Sequence, residues 1–269
     1  MRTNPRPDAT SLHAYYPDDY APYETSAVAI GVPAPRRPWL LRILQRLVDS
    51  RSQWLPTLVP GKMLEFGCAS GGFLAKMRAR GWSVEGVDIS PVATACAREH
   101  GLAVHTGTLD SLPVEAGTFD LVVGWMALEH LPDPVEALRF LHGRTRPGGW
   151  LVISIPNAAA FEFRIFGRYW YALQVPAHLF HFTPTTMNNL LLAAGWRPQG
   201  VFHHRSAANL VGSLGHLLED SGCQKIGAAL VRGVSRSPAL HALMWPLALV
   251  LGLLRQSGRM TVWARKSDA

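Results

Sequence analysis

From residue 62 the chain alternates between short apolar runs and stretches whose apolar residues recur at helical spacing. "KMLEF" (62–66), "SVEGVDI" (83–89), "AVHTG" (103–107), "FDLVVGW" (119–125) and "WLVISIP" (150–156) read as strands. Between them "GGFLAKMRARG", "PVATACAREHG" and "PVEALRFLHGRTRPGG" read as helices. Strands that are apolar throughout and alternate with helices imply a parallel sheet covered on both faces. Upstream, residues 1–37 are rich in proline, tyrosine and acids without a sustained period, as expected of an irregular N-terminal arm. "PWLLRILQRLVDSRSQWL" then sets Trp39, Leu40, Ile43, Leu44, Leu47 and Val48 at helical spacing behind Pro38, a good helix opener.

Beyond Asn157 the alternation loosens. "TPTTMNNLLLAAGW" predicts a helix with Thr183 as N-cap, Pro184 as first helical residue and Gly195 as terminator. "PQGVFHHRS" and "RMTVWARK" are two further strands, and residues 207–255 between them are helical in character. Pro238 to Leu254 is strongly apolar but shorter than the ~20 residues that span a bilayer. It contains His241 and Pro246 and is bracketed by Arg236 and Arg255, so a buried or interfacial helix is expected. The N-terminus has no apolar core of the kind a signal peptide needs.

Composition narrows the class. Hydrophobic residues make up 48% and charged ones 17%, enough for a sizeable core and against global disorder. The net charge of +7 rests mostly on arginine, which could suit nucleic acid or an anionic membrane face. No basic run is interleaved with stacking aromatics, and no NPPY-type motif for methylating base amino groups is present, which argues against nucleic acid. Three cysteines without CxxC spacing argue against a disulfide framework and fit a reducing cytoplasm.

The candidate chemistry begins at "LEFGCASGGFL" (64–74), where a strand runs into a turn of small residues and then a helix. Glycines there permit φ > 0 and let backbone N–H groups approach a ligand. The following helix start suits an anionic group. Asp88, at the end of the second strand, can accept both hydroxyls of a ribose. Together these indicate a nucleoside ligand on a Rossmann-like sheet. Gly67, Ala69 and Gly72 satisfy a loose G-x-A-x-x-G, a weak signal that leaves the nucleoside open.

"LEFGCASGGFL" followed by "VEGVDIS", "FDLVVGWMALEHLPDP" and "RPGGWLVISIPN" resembles, in order and spacing, the class I S-adenosylmethionine-dependent methyltransferases, in the branch of ubiquinone-precursor and small-molecule enzymes. The resemblance implies a doubly wound α/β domain over residues 38–269. Its sheet is seven-stranded and mostly parallel, with "RMTVWARK" antiparallel and inserted beside the fifth strand. Helical additions lie at the N-terminus and between the last two strands. It further implies that Glu65 helps hold the methionine amino group and that backbone from Gly67 through Ala69 to Gly71 faces the methionine and ribose. Asp88 takes the ribose hydroxyls and Ile89 packs on adenine. Thr108 stands where many members carry an acid, so backbone near Leu109, with Asp110, is expected to read the adenine amino group. The backbone of Trp125 touches the methionine moiety.

Methyl transfer from a sulfonium is an in-line displacement that needs a base only where the acceptor must lose a proton. By the same resemblance, Glu129 and His130 in "LEHLPDP" lie near the acceptor and are the catalytic candidates. Met126 stands where some branches carry another acid, and His178 and His181, three apart, lack a third ligand. No metal site is therefore expected. The aromatic segment 158–182 is the expected acceptor-side cover. The expected acceptor is a small molecule, lipid or glycan methylated at oxygen, with the protein cytoplasmic or resting peripherally on the inner membrane face through 238–254. The competing reading is a non-catalytic, S-adenosylmethionine-binding partner subunit.

Overall fold

The apolar runs pair into a single sheet whose strands follow the order β3-β2-β1-β4-β5-β7-β6. They are β1 (Lys62–Phe66), β2 (Ser83–Asp88), β3 (Ala103–Thr106), β4 (Phe119–Trp125), β5 (Thr145–Pro156), β6 (Arg197–His203) and β7 (Arg259–Arg265). The computed structural model describes residues 1–5, 7, 55–113, 118–236 and 238–268. The helix expected from Pro38 and most of the N-terminal arm lie outside the described residues. Strands β1 to β5 are mutually parallel where they pair. β7 runs antiparallel between β5 and β6, as the resemblance implied.

Eight helices are described: α1 (Gly72–Arg78), α2 (Pro91–Glu99), α3 (Pro134–Arg144), α4 (Phe161–Phe166), α5 (Pro184–Ala193), α6 (Ala208–Asp220), α7 (Gln224–Arg236) and α8 (Pro238–Leu253). Their starts are written locally. Ser90 accepts from the Ala93 N–H, Asp133 from those of Val135 and Glu136, and Thr183 forms a capping box with Thr186, each with proline just inside. Gly195 (φ 87°) follows the end of α5 as a left-handed terminator.

The period-2 alternation along β4 and β5 separates two cores. Val122, Leu151, Ile153 and Ile155 face a layer with Leu138, Leu141 and Trp196, while Leu121, Val123 and Val152 face one with Leu74 and Met77. Each fully buried leucine or phenylalanine contributes about 1.5–3 kcal/mol by area. Trp196 is fully buried and its indole N–H donates to the Leu138 carbonyl at 2.9 Å, tying α3 to the start of β6.

One boundary differs from expectation. The helix predicted through Gly149 stops at Arg144, and β5 already begins at Thr145. Thr145 pairs with Phe119 while its hydroxyl donates to the Leu141 carbonyl at 2.8 Å. Pro147 cannot donate to a continuing helix, and the Gly148 N–H goes to the Lys266 carbonyl instead. Sheet pairing overrides helical spacing there. The expected helical addition between the last strands is α6, α7 and α8. α6 and α7 cross closely at Gly215 and Gly227, where a Cβ on either would meet the other's carbonyl oxygen at 2.5–2.9 Å.

Candidate active site

The carboxyl ends of β1, β2 and β4 open on a cleft of about 350 Å³. This is where ligands of open α/β sheets bind. Its first wall is the turn after β1. Gly67 has φ 66° and Ala69 φ 47°, and the N–H groups of Gly67 and Cys68 donate to the Val87 carbonyl at 2.9 and 3.2 Å, folding the turn against β2. The Ala69 N–H donates to Asp88 Oδ2 at 2.8 Å, and the Ser90 N–H to Oδ1 at 2.9 Å. Two backbone donors thus fix the Asp88 carboxylate at the cleft wall, and its remaining lone pairs suit a diol. Burial raises its pKa against those two bonds. Ile89 beside it is 44% exposed, a large apolar side chain offered to the cleft.

Of the residues expected at the cofactor, Gly67, Ala69, Asp88, Ile89, Leu109 and Trp125 line this cleft. Glu65, Gly71 and Asp110 lie outside its lining. Glu65 is buried just behind the turn with Oε2 lacking a hydrogen-bond partner. Burial, and then the nearby Asp88 charge, push its pKa well up. Gly71 caps α1, and a Cβ there would meet Leu102. Asp110 is exposed in the short turn Leu109–Ser111. Ala127, Leu131 and Gln174, which the sequence did not single out, also line the cleft, as does Met126, noted there only for lacking an acid. Among the described residues four non-glycines have positive φ, and three of them, Ala69, Met126 (54°) and Gln174 (39°), are in this lining. Strained backbone of this kind gathers at functional sites.

A second group of residues meets the same cleft. After β4 the turn Leu128–His130 is joined to the segment before α5, because the N–H groups of Leu179 and Phe180 both donate to the Glu129 carbonyl. His130 Nδ1 sits 3.0 Å from the Ala177 carbonyl and His178 Nδ1 2.8 Å from that of Ala172. In a neutral ring this places N–H on Nδ1 and the lone pair on Nε2. The two rings lie edge to face with centroids 4.6 Å apart. Glu129 is fully buried, neither of its carboxylate oxygens has a hydrogen-bond partner, and Oε1 is 4.0 Å from His178 Nε2. Burial raises Glu129 to about 8 and lowers His130 to about 4 and His178 to about 3. His178 and His181, three apart in the sequence, lie in a non-helical segment; His181 turns toward Thr3, its Nε2 3.4 Å from the hydroxyl.

These buried groups set a pH profile for stability. His130, His178, His181 and His204 are lowered by burial to about 3–4, from 6.5. The unfolded chain takes up their protons first, so stability is lost as pH falls from about 6.5 toward 4. Glu129 and Glu162 are raised by burial from 4.5 to about 8 and about 7. The unfolded chain releases their protons first, so stability is lost as pH rises from about 4.5 to 8. Glu65, likewise raised by burial, adds a third acid, so the four histidines outweigh the acids only below about pH 6. The thermal midpoint should peak near pH 6. A calorimetric midpoint climbing steadily from pH 5 to 8 would contradict this.

The family profile described as a methyltransferase domain matches residues 36–199. The chain belongs to the methyltransferase family. Its sheet has the fold of solved S-adenosylmethionine-dependent methyltransferases. A ubiquinone biosynthesis O-methyltransferase of Albidiferax ferrireducens is 34% identical over 134 residues, 45% of this chain and 53% of that relative. One from Bordetella avium is 30% identical over 168 residues, 56% of this chain and 70% of that one. The chain thus spans about half the length of the first of these relatives. A solved S-adenosylmethionine-dependent methyltransferase of Thermotoga maritima superposes with a TM-score of 0.55 at 15% identity, over 95% of this chain and 99% of that one, a likeness of fold alone. The residues of this methyltransferase fit an adenosyl donor. Asp88 is fixed for a diol, Ile89 offers an apolar surface, and Glu65 Oε2 and Trp125 Nε1 are buried polar atoms without a partner.

Proposed function

We propose that this methyltransferase moves a methyl group from S-adenosylmethionine to a hydroxyl oxygen of a small organic acceptor. One observation carries the reading: a single cleft brings together Asp88 with Ile89 and the neutral imidazoles of His130 and His178. S-adenosylmethionine, when bound, supplies a methyl group activated on a sulfonium sulfur. Asp88 would hold the ribose and Ile89 the adenine face. The turn at Gly67, Ala69 and Gly71, backed by Glu65, would face the methionine part together with Trp125, and the turn at Leu109 and Asp110 would reach the adenine amino group. His130 takes the acceptor's hydroxyl proton on Nε2, while Glu129, kept uncharged by burial up to about pH 8, packs beside the two rings. The strained turns keep these groups aligned.

The names of the relatives favour oxygen as the methylated atom and do not favour a non-catalytic role. Isothermal titration with S-adenosylmethionine tests the donor; no binding at millimolar concentration would end this reading. Labelled donor with a bacterial extract then tests the acceptor.

The acceptor we infer is lipid-linked or similarly apolar. Gln174 and His178, from the 158–182 cover, join Met126, Ala127 and Leu131 along the cleft. Among the described residues no helix is long and apolar enough to cross a membrane. Even so, Leu243 (76% exposed), Leu247, Val250 and Leu254 recur on one face of α8 and just past it, while Ala248 and Leu251 on the adjoining flank are buried. Exposed Lys225 and Arg255 supply positive charge nearby along the chain. Such a face suits peripheral contact with an anionic bilayer, here at the cytoplasmic side. The protein should co-sediment with phosphatidylglycerol vesicles, and a Leu243→Asp, Leu247→Asp double variant should lose most of that binding. Equal sedimentation of the variant would refute it.

A further inference from the structure

Thr3 and His178 are 175 positions apart in sequence and adjacent in the fold. The Thr3 N–H donates to the Leu179 carbonyl at 3.0 Å, and the His181 N–H donates to the Met1 carbonyl at 2.9 Å. Between these bonds Arg2 forms an antiparallel bridge with Phe180. The Thr3 hydroxyl donates to the His178 carbonyl at 2.6 Å. We propose that residues 1–3 strap the histidine-bearing wall of the cleft in place, and that Thr3 is a positioning residue for methyl transfer, acting through His178. The strap stands on these bonds; its effect on transfer rests on the reading of the cleft given above.

Two distant parts of the chain hold residues 178–181. One is the turn after β4, because the Leu179 and Phe180 N–H groups both donate to the Glu129 carbonyl. The other is the strap. His178 also has local ties: its N–H donates to the Gln174 carbonyl at 3.0 Å, and its ring Nδ1 is 2.8 Å from the Ala172 carbonyl. Both partners are within six residues, so these bonds orient the ring on its own segment. The segment's place in the fold is left to the bonds from Glu129 and from residues 1–3.

Thr3 has the side chain that the junction needs. It is buried between exposed Arg2 and exposed Asn4, the alternation of an extended stretch laid against a wall. A hydroxyl has one proton to give. With that proton on the His178 carbonyl, Thr3 Oγ1 can only accept from His181 Nε2, 3.4 Å away. One side chain thus joins the backbone of the first histidine to the ring of the second. His178 in turn lines the cleft, its ring centroid 4.6 Å from that of His130. A shift of 178–181 therefore reaches the ring pair where the acceptor's proton is taken, and misplacement by about 1 Å can cost about a hundredfold in rate.

The experiment compares Thr3→Ser, Thr3→Val and Thr3→Pro in the full chain. Serine keeps the hydroxyl, valine keeps the shape without it, and proline also removes the N–H that reaches Leu179. Hydrogen exchange followed by mass spectrometry reads the backbone of 178–181 with no acceptor present. Exchange there should quicken at least about tenfold in Thr3→Pro, less in Thr3→Val, and stay at the parent rate in Thr3→Ser. With the acceptor found by the labelled-donor screen, kcat should fall about tenfold or more in Thr3→Pro and by less in Thr3→Val, with Thr3→Ser at the parent value. Each is assayed well below its own thermal midpoint, and donor affinity should match the parent's, since residues 1–3 are not in the cleft lining. Should Thr3→Pro fail to fold, Thr3→Val against Thr3→Ser decides. Parent-rate exchange across 178–181 in the proline and valine variants overturns the strap. A lowered thermal midpoint with kcat at the parent value means that Thr3 only stabilises, and overturns its positioning role. Quickened exchange in a protein whose parent binds no S-adenosylmethionine would sink the methyl-transfer reading and leave the strap standing.

Discussion

Changing His130 to alanine is expected to lower kcat by about two to four orders of magnitude, the usual worth of a positioned general base. Affinity for S-adenosylmethionine should change by less than about threefold, because His130 is not among the residues assigned to the donor. His130 suits the role on three counts. It lines the cleft, burial keeps it uncharged well above about pH 4, and the Ala177 carbonyl holds the proton on Nδ1. A base works in its unprotonated form, so the acid limb of kcat/KM should fall near pH 4 and not near the 6.5 of a solvated histidine. Stopped-flow or steady-state assays with the acceptor found by the labelled-donor screen measure both. A kcat within about fivefold of the parent would remove His130 from the chemistry and leave alignment of the two substrates as the main contribution.

The two walls of the cleft were not equally legible in the sequence. The donor wall is a local affair: strand, small-residue turn, helix, then Asp88 at the end of the next strand. Each step has a short-range cause, and the expected Gly67, Ala69, Asp88, Ile89, Leu109 and Trp125 do meet in space. The acceptor wall depends on contacts across nearly fifty residues, such as His130 to Ala177. Spacing within "AHLFHF" suggested that His178 belonged with His181. Tertiary hydrogen bonds instead turn His178 toward Glu129 and His130, and His181 toward Thr3. The positive φ of Met126 and Gln174 has no sequence signature either, because neither residue favours that region and only the surrounding fold imposes it. Asp110, placed in the loop by resemblance, follows the ordinary physics of an exposed turn.

Asp88→Ala should weaken S-adenosylmethionine at least tenfold by calorimetry, and the loss could not be confined to the ribose. Hydrogen bonds to a charged partner are worth about 1.5–3 kcal/mol each, so losing one contact to the sugar already gives about tenfold or more. The same carboxylate also holds the Ala69 and Ser90 N–H groups, at 2.8 and 2.9 Å. Without it the turn after β1 loses its tie to β2, and Ala69, at φ 47°, loses a bond that keeps it in a strained conformation. The variant should therefore show a lower thermal midpoint even without donor, and a smaller ligand-induced rise in that midpoint than the parent shows. Asp88→Asn separates the two effects. Its carbonyl oxygen can keep one backbone donor, but its amide NH₂ faces the other donor N–H and cannot accept from it. Asn should thus recover part of the stability while donor binding stays weak. Full donor affinity in Asp88→Ala would mean that the ribose is held elsewhere and that Asp88 serves only to brace the turn.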